Sequence, residues 1–155
     1  THDHLIEVID LNSKSSHLFS GTLGNEKSKQ TKLGQISNFL YEPHPGLLKA
    51  GFFKSVETED IFKLNSNTHL YSSKELDTKF PGKSFHVIET GPVDIGWLMK
   101  HLPNKQVNIS TRNFPGKPDD LRKKLKLSDG GDLTLFGYRN HQNQVELALT
   151  QKCTI

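Results

Sequence analysis

The chain has 155 residues, a length typical of one domain or slightly more, and 33% of these residues are hydrophobic. That content is enough to build a core. No stretch approaches the roughly 18 consecutive apolar residues of a membrane span, and the N-terminus lacks a signal-peptide pattern, so we expect no membrane insertion. The single cysteine, Cys153, excludes an internal disulfide and a thiolate zinc site. It is typical of a reducing compartment, and we therefore predict a cytoplasmic protein.

The net charge of +3 is distributed unevenly along the chain. Between Lys100 and Lys126, eight Lys and Arg residues are opposed only by Asp119 and Asp120, whereas the remaining residues carry a small acidic excess. Such a basic block suits phosphate binding. It suits a solvated helix face equally well, so the charge pattern alone leaves both interpretations open.

The first third of the chain has a weak pattern. Apolar and β-favouring residues at 5–11 and 17–23 predict a hairpin across residues 12–16. The polar, Lys-rich stretch 24–34 predicts a loop or linker.

A polar and aromatic cluster follows at Tyr41-Glu42-Pro43-His44-Pro45-Gly46. It predicts the start of a short helix containing Leu47, Leu48, Phe52 and Phe53. The cluster fits either a small anion pocket at that helix N-terminus or a helix start fixed by two prolines over a packed Tyr41, and the second is favoured. Residues 65–73 are predicted to form a loop.

The second half of the chain predicts strand, helix, strand, helix and two further strands. The predicted elements are strand 85–90, helix 93–101, strand 107–112, a helix from Pro118, and strands 133–139 and 144–151. A helical crossover makes the first two strands parallel, and a tight loop makes the last two antiparallel. We therefore predict an α+β fold, with two helices on one face of a mixed four-stranded sheet, preceded by the hairpin and a short helical segment.

No catalytic or metal-binding pattern is recognisable in the sequence. The pair Gly130-Gly131 precedes a strand, whereas a phosphate-binding loop follows one. The eight histidines are dispersed, and five of them have no acidic or thiol partner at ligand spacing: His44, His69, His86, His101 and His141. We therefore predict no metal site. Cys153 lies too near the C-terminus for a positioned nucleophile. Trp97 has the chemistry to stack on a base, but an indole on a short helix more often anchors the core.

Three motifs carry a family resemblance: Glu89-Thr90-Gly91-Pro92-Val93-Asp94, Arg112-Asn113-Phe114-Pro115 and Leu121-Arg122-Lys123-Lys124-Leu125-Lys126-Leu127-Ser128-Asp129-Gly130-Gly131-Asp132. They resemble the THUMP-like domain at the C-terminus of a group of bacterial class I S-adenosylmethionine-dependent methyltransferases. Upstream, Leu40-Tyr41-Glu42-Pro43 and Asn67-Thr68-His69-Leu70-Tyr71-Ser72-Ser73 are similar to the segment that joins the two domains of those proteins. The resemblance covers residues from about 40 to 152.

The resemblance implies three regions. Residues 1–23 would be a hairpin remnant of the methyltransferase domain, 24–84 a linker and helical connecting segment, and 85–155 the THUMP-like domain. The glycine-rich cofactor loop and the catalytic tetrad of those enzymes are missing here. S-adenosylmethionine is therefore expected in a full-length parent enzyme and no cofactor in this chain, and whether this chain is itself an enzyme stays open.

THUMP domains proper bind RNA, so the resemblance implies an accessory domain that presents an RNA such as tRNA or rRNA to its own methyltransferase domain. Because Leu121 and Leu125 predict the buried side of the second helix, most of the nearby charges should face solvent. The expected phosphate contacts are Lys105, Arg112, Lys117, Arg122, Lys123, Lys124 and Lys126. The alternative is a structural module that stabilises the methyltransferase domain without binding nucleic acid.

Overall fold

The computed structural model describes residues 3–11 and 17–154. The strands in this part of the chain are β1 (Leu5–Ile9), β2 (His17–Thr22), β3 (Phe39–Pro43), β4 (Phe62–Asn65), β5 (Thr68–Ser73), β6 (Gly82–Gly91), β7 (Asn108–Arg112), β8 (Leu133–Arg139) and β9 (Val145–Lys152). The helices are α1 (Leu23–Ser28), α2 (Pro45–Ala50), α3 (Ile95–His101) and α4 (Pro118–Lys124). None of the helices in this described part has the length and apolar character of a transmembrane helix.

Seven of the strands form one mixed sheet in the order β4-β5-β3-β6-β9-β8-β7. Neighbouring strands are antiparallel except β7 and β8, which are parallel. The parallel pair is joined through α4, as a helical crossover requires, and β8 and β9 are joined by a short hairpin loop.

The predicted four-stranded sheet is correct in its element order and wrong in its extent. Strands β6 to β9 with α3 and α4 follow the predicted succession β-α-β-α-β-β. Three further strands, β3, β4 and β5, extend the sheet on the side of β6. The two strands that flank α3 point in the same direction, but β9 and β8 lie between them. The prediction of a loop over residues 65–73 is wrong, because β5 occupies most of that stretch.

Both C-terminal helices pack on one face of the sheet. Leu98 of α3 and Leu121 of α4 share a buried core with Leu135 of β8 and Leu147 of β9. Apolar residues at alternate strand positions therefore meet helices on this face, as the sequence predicts.

The opposite face of the same strands is also buried, because the sheet coils back on itself. Phe136 and Tyr138 of β8 pack in a second core with Leu70 of β5. The turn between β4 and β5 reaches the β8–β9 hairpin, where Thr68 Oγ1 donates to the carbonyl oxygen of Arg139 at 2.8 Å. Strands from opposite ends of the sheet thus enclose one interior.

The N-terminal hairpin has one covered face and one exposed face. Strands β1 and β2 pair antiparallel, as predicted, and Val8 is buried in a third core with Leu47 of α2 and Phe52. On the other side, Leu5 is 64% exposed and Ile9 48% exposed. The predicted turn at residues 12–16 lies outside the described residues.

The stretch 24–34, predicted to be a loop, contains most of helix α1. Thr22 caps this helix by accepting a hydrogen bond from the amide of Asn25 at 3.2 Å. The remainder of the stretch runs alongside β4, and the amide of Lys63 donates to the carbonyl oxygen of Lys32 at 2.8 Å. These residues are therefore fixed to the body of the protein.

Candidate nucleic-acid interface

Helix α4 orients the predicted basic block. Pro118 stands at the first helical position, and the Asp120 carboxylate accepts the backbone N–H of Lys117 at 2.9 Å, which closes the N-terminus. Leu121 is buried under the helix, and Leu125 is buried immediately after it. The buried pair fixes the rotation of the helix and leaves its basic residues to face away from the core.

The three lysines around the end of α4 face solvent. Lys123, Lys124 and Lys126 are exposed, and none makes an ion pair with a described residue. Lys126 adopts a left-handed conformation with φ of 55°, which allows Leu125 and Leu127 on both sides of it to be buried. These three charges are available to a phosphate group.

Arg122 differs from its lysine neighbours because it is paired within the protein. Its guanidinium makes ion pairs with Asp119 and, at 2.5 Å, with Asp129 in the loop beyond α4. Its Nε is buried and has no hydrogen-bond partner among the described residues. Arg122 therefore stabilises the turn after the helix and is not a free cation.

Arg112 is also paired. It lies at the end of β7, and its Nη2 contacts Glu42 Oε2 of β3 at 3.0 Å. Its other terminal nitrogen donates to the Thr111 carbonyl oxygen at 2.7 Å. This pairing joins the edge strand β7 to β3, an interior strand of the other half of the sheet, which is a structural role.

The remaining two predicted residues are free lysines on loops. Lys105 lies after α3 and is exposed, and its carbonyl oxygen accepts the backbone N–H of Ser128 at 2.9 Å. That hydrogen bond places Lys105 beside the loop that follows α4. Lys117 is exposed at the start of α4. Of the seven predicted phosphate contacts, the five lysines are thus unpaired within the described structure and the two arginines are paired.

A small cavity beside α4 has no counterpart in the sequence-based expectations. Its volume is about 150 Å³, and its lining includes Phe114, Leu121 and Lys124. The sequence around Phe114 predicts only the end of a strand. In the sequence, the aromatic residue Phe114 between Asn113 and Pro115 is a signal that could have indicated a cavity wall.

The Tyr41-to-Gly46 cluster is the start of helix α2, and Tyr41 packs in the core with Leu47 of that helix. The Tyr41 hydroxyl is buried, lies 2.7 Å from the Ser73 hydroxyl and accepts the backbone N–H of Asp77 at 2.8 Å. His44 caps the six-residue α2 through the amide of Gly46 at 3.0 Å. The favoured structural interpretation of this cluster is confirmed.

Trp97 is partly buried against the core under α3, and its ring lies against Gly91 of β6. A side chain at Gly91 would collide with the indole, so this glycine is needed for the helix to approach the strand. The described contacts of Trp97 therefore include core packing, the expected role of an indole on a short helix.

A buried polar cluster lies beneath β4 and β5. Lys63 is buried, and its Nζ donates to the Ser66 carbonyl oxygen at 2.8 Å and lies 5.5 Å from the centre of the Phe53 ring. Burial lowers the pKa of Lys63 and raises that of Glu57. Burial, with a smaller effect of the Lys63 charge, lowers the pKa of His69 to about 4. His69 is therefore uncharged at neutral pH.

No group of three or more His, Cys, Asp or Glu side chains within the described residues is arranged to hold a metal ion. Cys153 is a free, half-buried thiol whose pKa is raised by burial. The basic surface around α4 therefore remains the candidate site, because its exposed lysines make no ion pair with a described residue.

Two family models match adjacent parts of the chain. Residues 82–152 match the THUMP domain-like family. Residues 39–81 match a ferredoxin-like domain, and this segment supplies β3, β4 and β5. The candidate interface around α4 lies entirely in the THUMP domain-like part.

A solved structure extends the likeness to almost the whole chain. It is the crystal structure of a "putative methyltransferase" from Porphyromonas gingivalis W83, and the two share 35% sequence identity with a TM-score of 0.88. The match covers 97% of this chain and 38% of the P. gingivalis protein. Among curated proteins, none matches the chain significantly.

Proposed function

We propose that this chain is the RNA-binding accessory region of an S-adenosylmethionine-dependent methyltransferase. The observation that carries the proposal is the set of unpaired lysines on the THUMP domain-like part, with Lys123, Lys124 and Lys126 grouped around the end of α4. Lysines at such spacing bind the phosphate backbone without reading sequence. The accessory region would thereby hold RNA for a catalytic domain.

The likeness to the P. gingivalis protein supports the proposal that this chain belongs to a methyltransferase. This chain spans 38% of that protein, so a catalytic domain has room in the remainder of a parent of similar length. The exposed apolar face of the N-terminal hairpin, with Leu5 and Ile9, is the proposed contact with that domain. A free two-stranded sheet gains stability when such a face is covered.

The residues of this chain do not fit S-adenosylmethionine. A nucleotide-type cofactor requires a glycine-rich loop between a strand and a following helix, and Gly130 with Gly131 stands before β8 instead. The Gly130 position is also crowded, because a Cβ there would lie 2.7 Å from Gln106 Nε2. The cofactor site is therefore proposed to lie outside this chain, and calorimetry should detect no heat of S-adenosylmethionine binding.

Charge reversal around α4 tests the RNA-binding proposal. The triple variant Lys123→Glu, Lys124→Glu and Lys126→Glu should weaken binding to a tRNA mixture about tenfold or more and flatten the dependence of log Kd on log salt. Its melting temperature should stay nearly unchanged, because the three side chains are exposed and make no ion pair with a described residue.

A matched control reverses three exposed lysines on other surfaces, Lys29, Lys74 and Lys79. It has the same net charge as the test variant and should bind RNA more tightly than it does. If both variants lost the same RNA affinity, the loss would be due to overall charge and not to the surface around α4. No salt-dependent binding by the unmodified chain would reject RNA binding.

The second candidate is a structural module without nucleic-acid contact. The ion pairs of Arg112 with Glu42 and of Arg122 with Asp129 favour it, because the two arginines stabilise the fold instead of facing a ligand. Under this alternative the triple lysine variant would leave RNA affinity unchanged. Substitutions on the exposed hairpin face would then lower the stability of the longer parent protein and not that of this chain.

A further inference from the structure

A small apolar cavity opens beside the basic helix, between the start of α4 and the start of β9. Its volume is about 150 Å³. Its apolar walls are Val93, Phe114, Pro115, Leu121 and Val145. Sites for drug-sized ligands usually start at about 300 Å³, so this cavity suits one planar ring system and excludes a base pair.

The walls of this cavity are held in place by the sheet. The Phe114 ring rests on Gly137 of β8, where a Cβ would lie 3.1 Å from two of the ring carbons. Leu121 is buried, whereas Val145 is 38% exposed at the start of β9. The cavity is therefore formed before any ligand binds, and Val145 is its partly exposed wall residue.

Two charged residues stand beside the apolar walls. Lys124 is exposed and unpaired within the described structure, so its ammonium group is available to an anion. Asp120 uses Oδ2 to accept the Lys117 backbone N–H, and Oδ1 has no hydrogen bond to any described residue. The apolar walls suit a flat base, the ammonium group of Lys124 suits a phosphate, and the free oxygen of Asp120 suits an amino group. A nucleotide combines these three groups.

We infer that this cavity holds one unpaired base of the RNA, with its phosphate on Lys124. The inference rests on the proposed RNA-binding function and specifies its substrate as RNA with an unpaired nucleotide. Unpaired bases bind proteins by stacking on aromatic and apolar side chains, and here Phe114 supplies the ring. The free oxygen of Asp120 accepts from an exocyclic amino group, which favours adenine and cytosine over uracil.

Titration of the unmodified chain with mononucleotides tests the cavity directly. Methyl resonances of Val93, Leu121 and Val145 should shift in a saturable way with AMP and CMP, and less with UMP. Ribose 5-phosphate carries the same phosphate without a base and should leave these methyl groups unchanged. Equal shifts with ribose 5-phosphate, or no shifts with AMP, would overturn the inference.

Filling the cavity tests its role in RNA binding. Val145→Phe places a ring in the cavity and should weaken binding of a single-stranded RNA by roughly five- to a hundred-fold, the range expected for the loss of one base–aromatic stack. Binding of the corresponding duplex should not change, because a paired base does not leave its helix. Ile88→Phe is the control, since Ile88 is an exposed strand residue that does not line this cavity.

The two proposals fail in different ways. If the chain binds RNA with salt dependence and Val145→Phe weakens single strand and duplex equally or not at all, the base site is rejected and RNA binding stands. If AMP shifts the cavity methyl groups but no RNA binds, the cavity is a mononucleotide site and the proposed function is rejected. If AMP does not shift the methyl groups and no RNA binds, both proposals are rejected.

Discussion

Lys54 donates its backbone N–H to both carboxylate oxygens of Glu26, at 2.9 and 3.0 Å. The amide of Ser55 adds a third hydrogen bond to Glu26 Oε1 at 2.8 Å. Glu26 is 6% exposed although it lies on the short surface helix α1. One carboxylate thus fixes the linker between the hairpin and the sheet to the segment after α2.

Removing this carboxylate should destabilise the protein. Glu26→Ala leaves two partly buried amides without an acceptor, and we expect a loss of about 2–4 kcal/mol in the free energy of unfolding. Glu26→Gln keeps one oxygen and should cost less. Urea denaturation measures both, and Glu59→Ala, at an exposed position, is the control. Equal stability of Glu26→Ala and Glu59→Ala would refute this role.

The sequence could not reveal β4 and β5 because their buried residues are largely polar. Lys63, Ser72 and Ser73 are all buried, so the apolar pattern of this pair of strands is weak. Hydrogen bonds satisfy these side chains, such as that of Ser72 Oγ to the Phe39 carbonyl oxygen at 2.6 Å. By contrast, β8 and β9 alternate apolar residues around a short polar loop and were predicted within one residue at each end.

The candidate site was also predictable in part, because the spacing of its apolar residues indicates which side is buried. The spacing of Leu121 and Leu125 predicts which side of α4 is buried, and the structure confirms it. Asp119 lies three residues before Arg122 on the same helix, but the partners outside α4 were not predictable. Glu42 lies far from Arg112 in the sequence and meets it only because the sheet coils, and Asp129 reaches Arg122 only through the fold of the loop after α4.

Releasing Arg122 from its pair should strengthen RNA binding. Asp129→Asn removes one partner of the Arg122 guanidinium, and we expect RNA affinity to rise about two- to fivefold with a steeper salt dependence. Asp132→Asn is a matched control, because Asp132 is exposed in the same loop and makes no ion pair with a described residue. Fluorescence anisotropy at several salt concentrations separates the two variants. The same gain in both would show that Arg122 stays bound to the protein.

Acid should destabilise the fold through His69. The pKa of His69 is about 4 in the folded protein and about 6.5 in a free chain, so the unfolded state binds more protons between these values. The His69 contribution to stability is therefore complete above pH 6.5 and is lost as the pH falls toward 4. His69→Phe preserves the stack on Phe53, whose ring centre lies 4.3 Å away.

The measurement is the difference in unfolding free energy between the unmodified protein and His69→Phe across this pH range. Glu57 has a raised pKa and titrates with the opposite sign, but it is present in both proteins and its own effect largely cancels. Lys63 is likewise common to both. We expect the variant to lose less stability than the unmodified protein between pH 6.5 and 4. Parallel curves would mean that His69 is protonated as easily in the fold as in the free chain.

The two faces of β1 should differ in how much stability a substitution removes. Val8 is 5% exposed and packs against α2, where a Cβ on Gly46 would lie 2.7 Å from Val8 Cγ1. Val8→Ala should therefore lower the free energy of unfolding by about 2 kcal/mol, from lost burial and the remaining cavity. Ile9→Thr keeps a β-branched residue on the exposed face and should cost less than about 0.5 kcal/mol. Thermal and urea unfolding of both variants measure this contrast.

If Ile9→Thr proved as costly as Val8→Ala, the outer face would be covered already, for instance by a second copy of the chain. The proposed docking of a catalytic domain on that face would then lose its support.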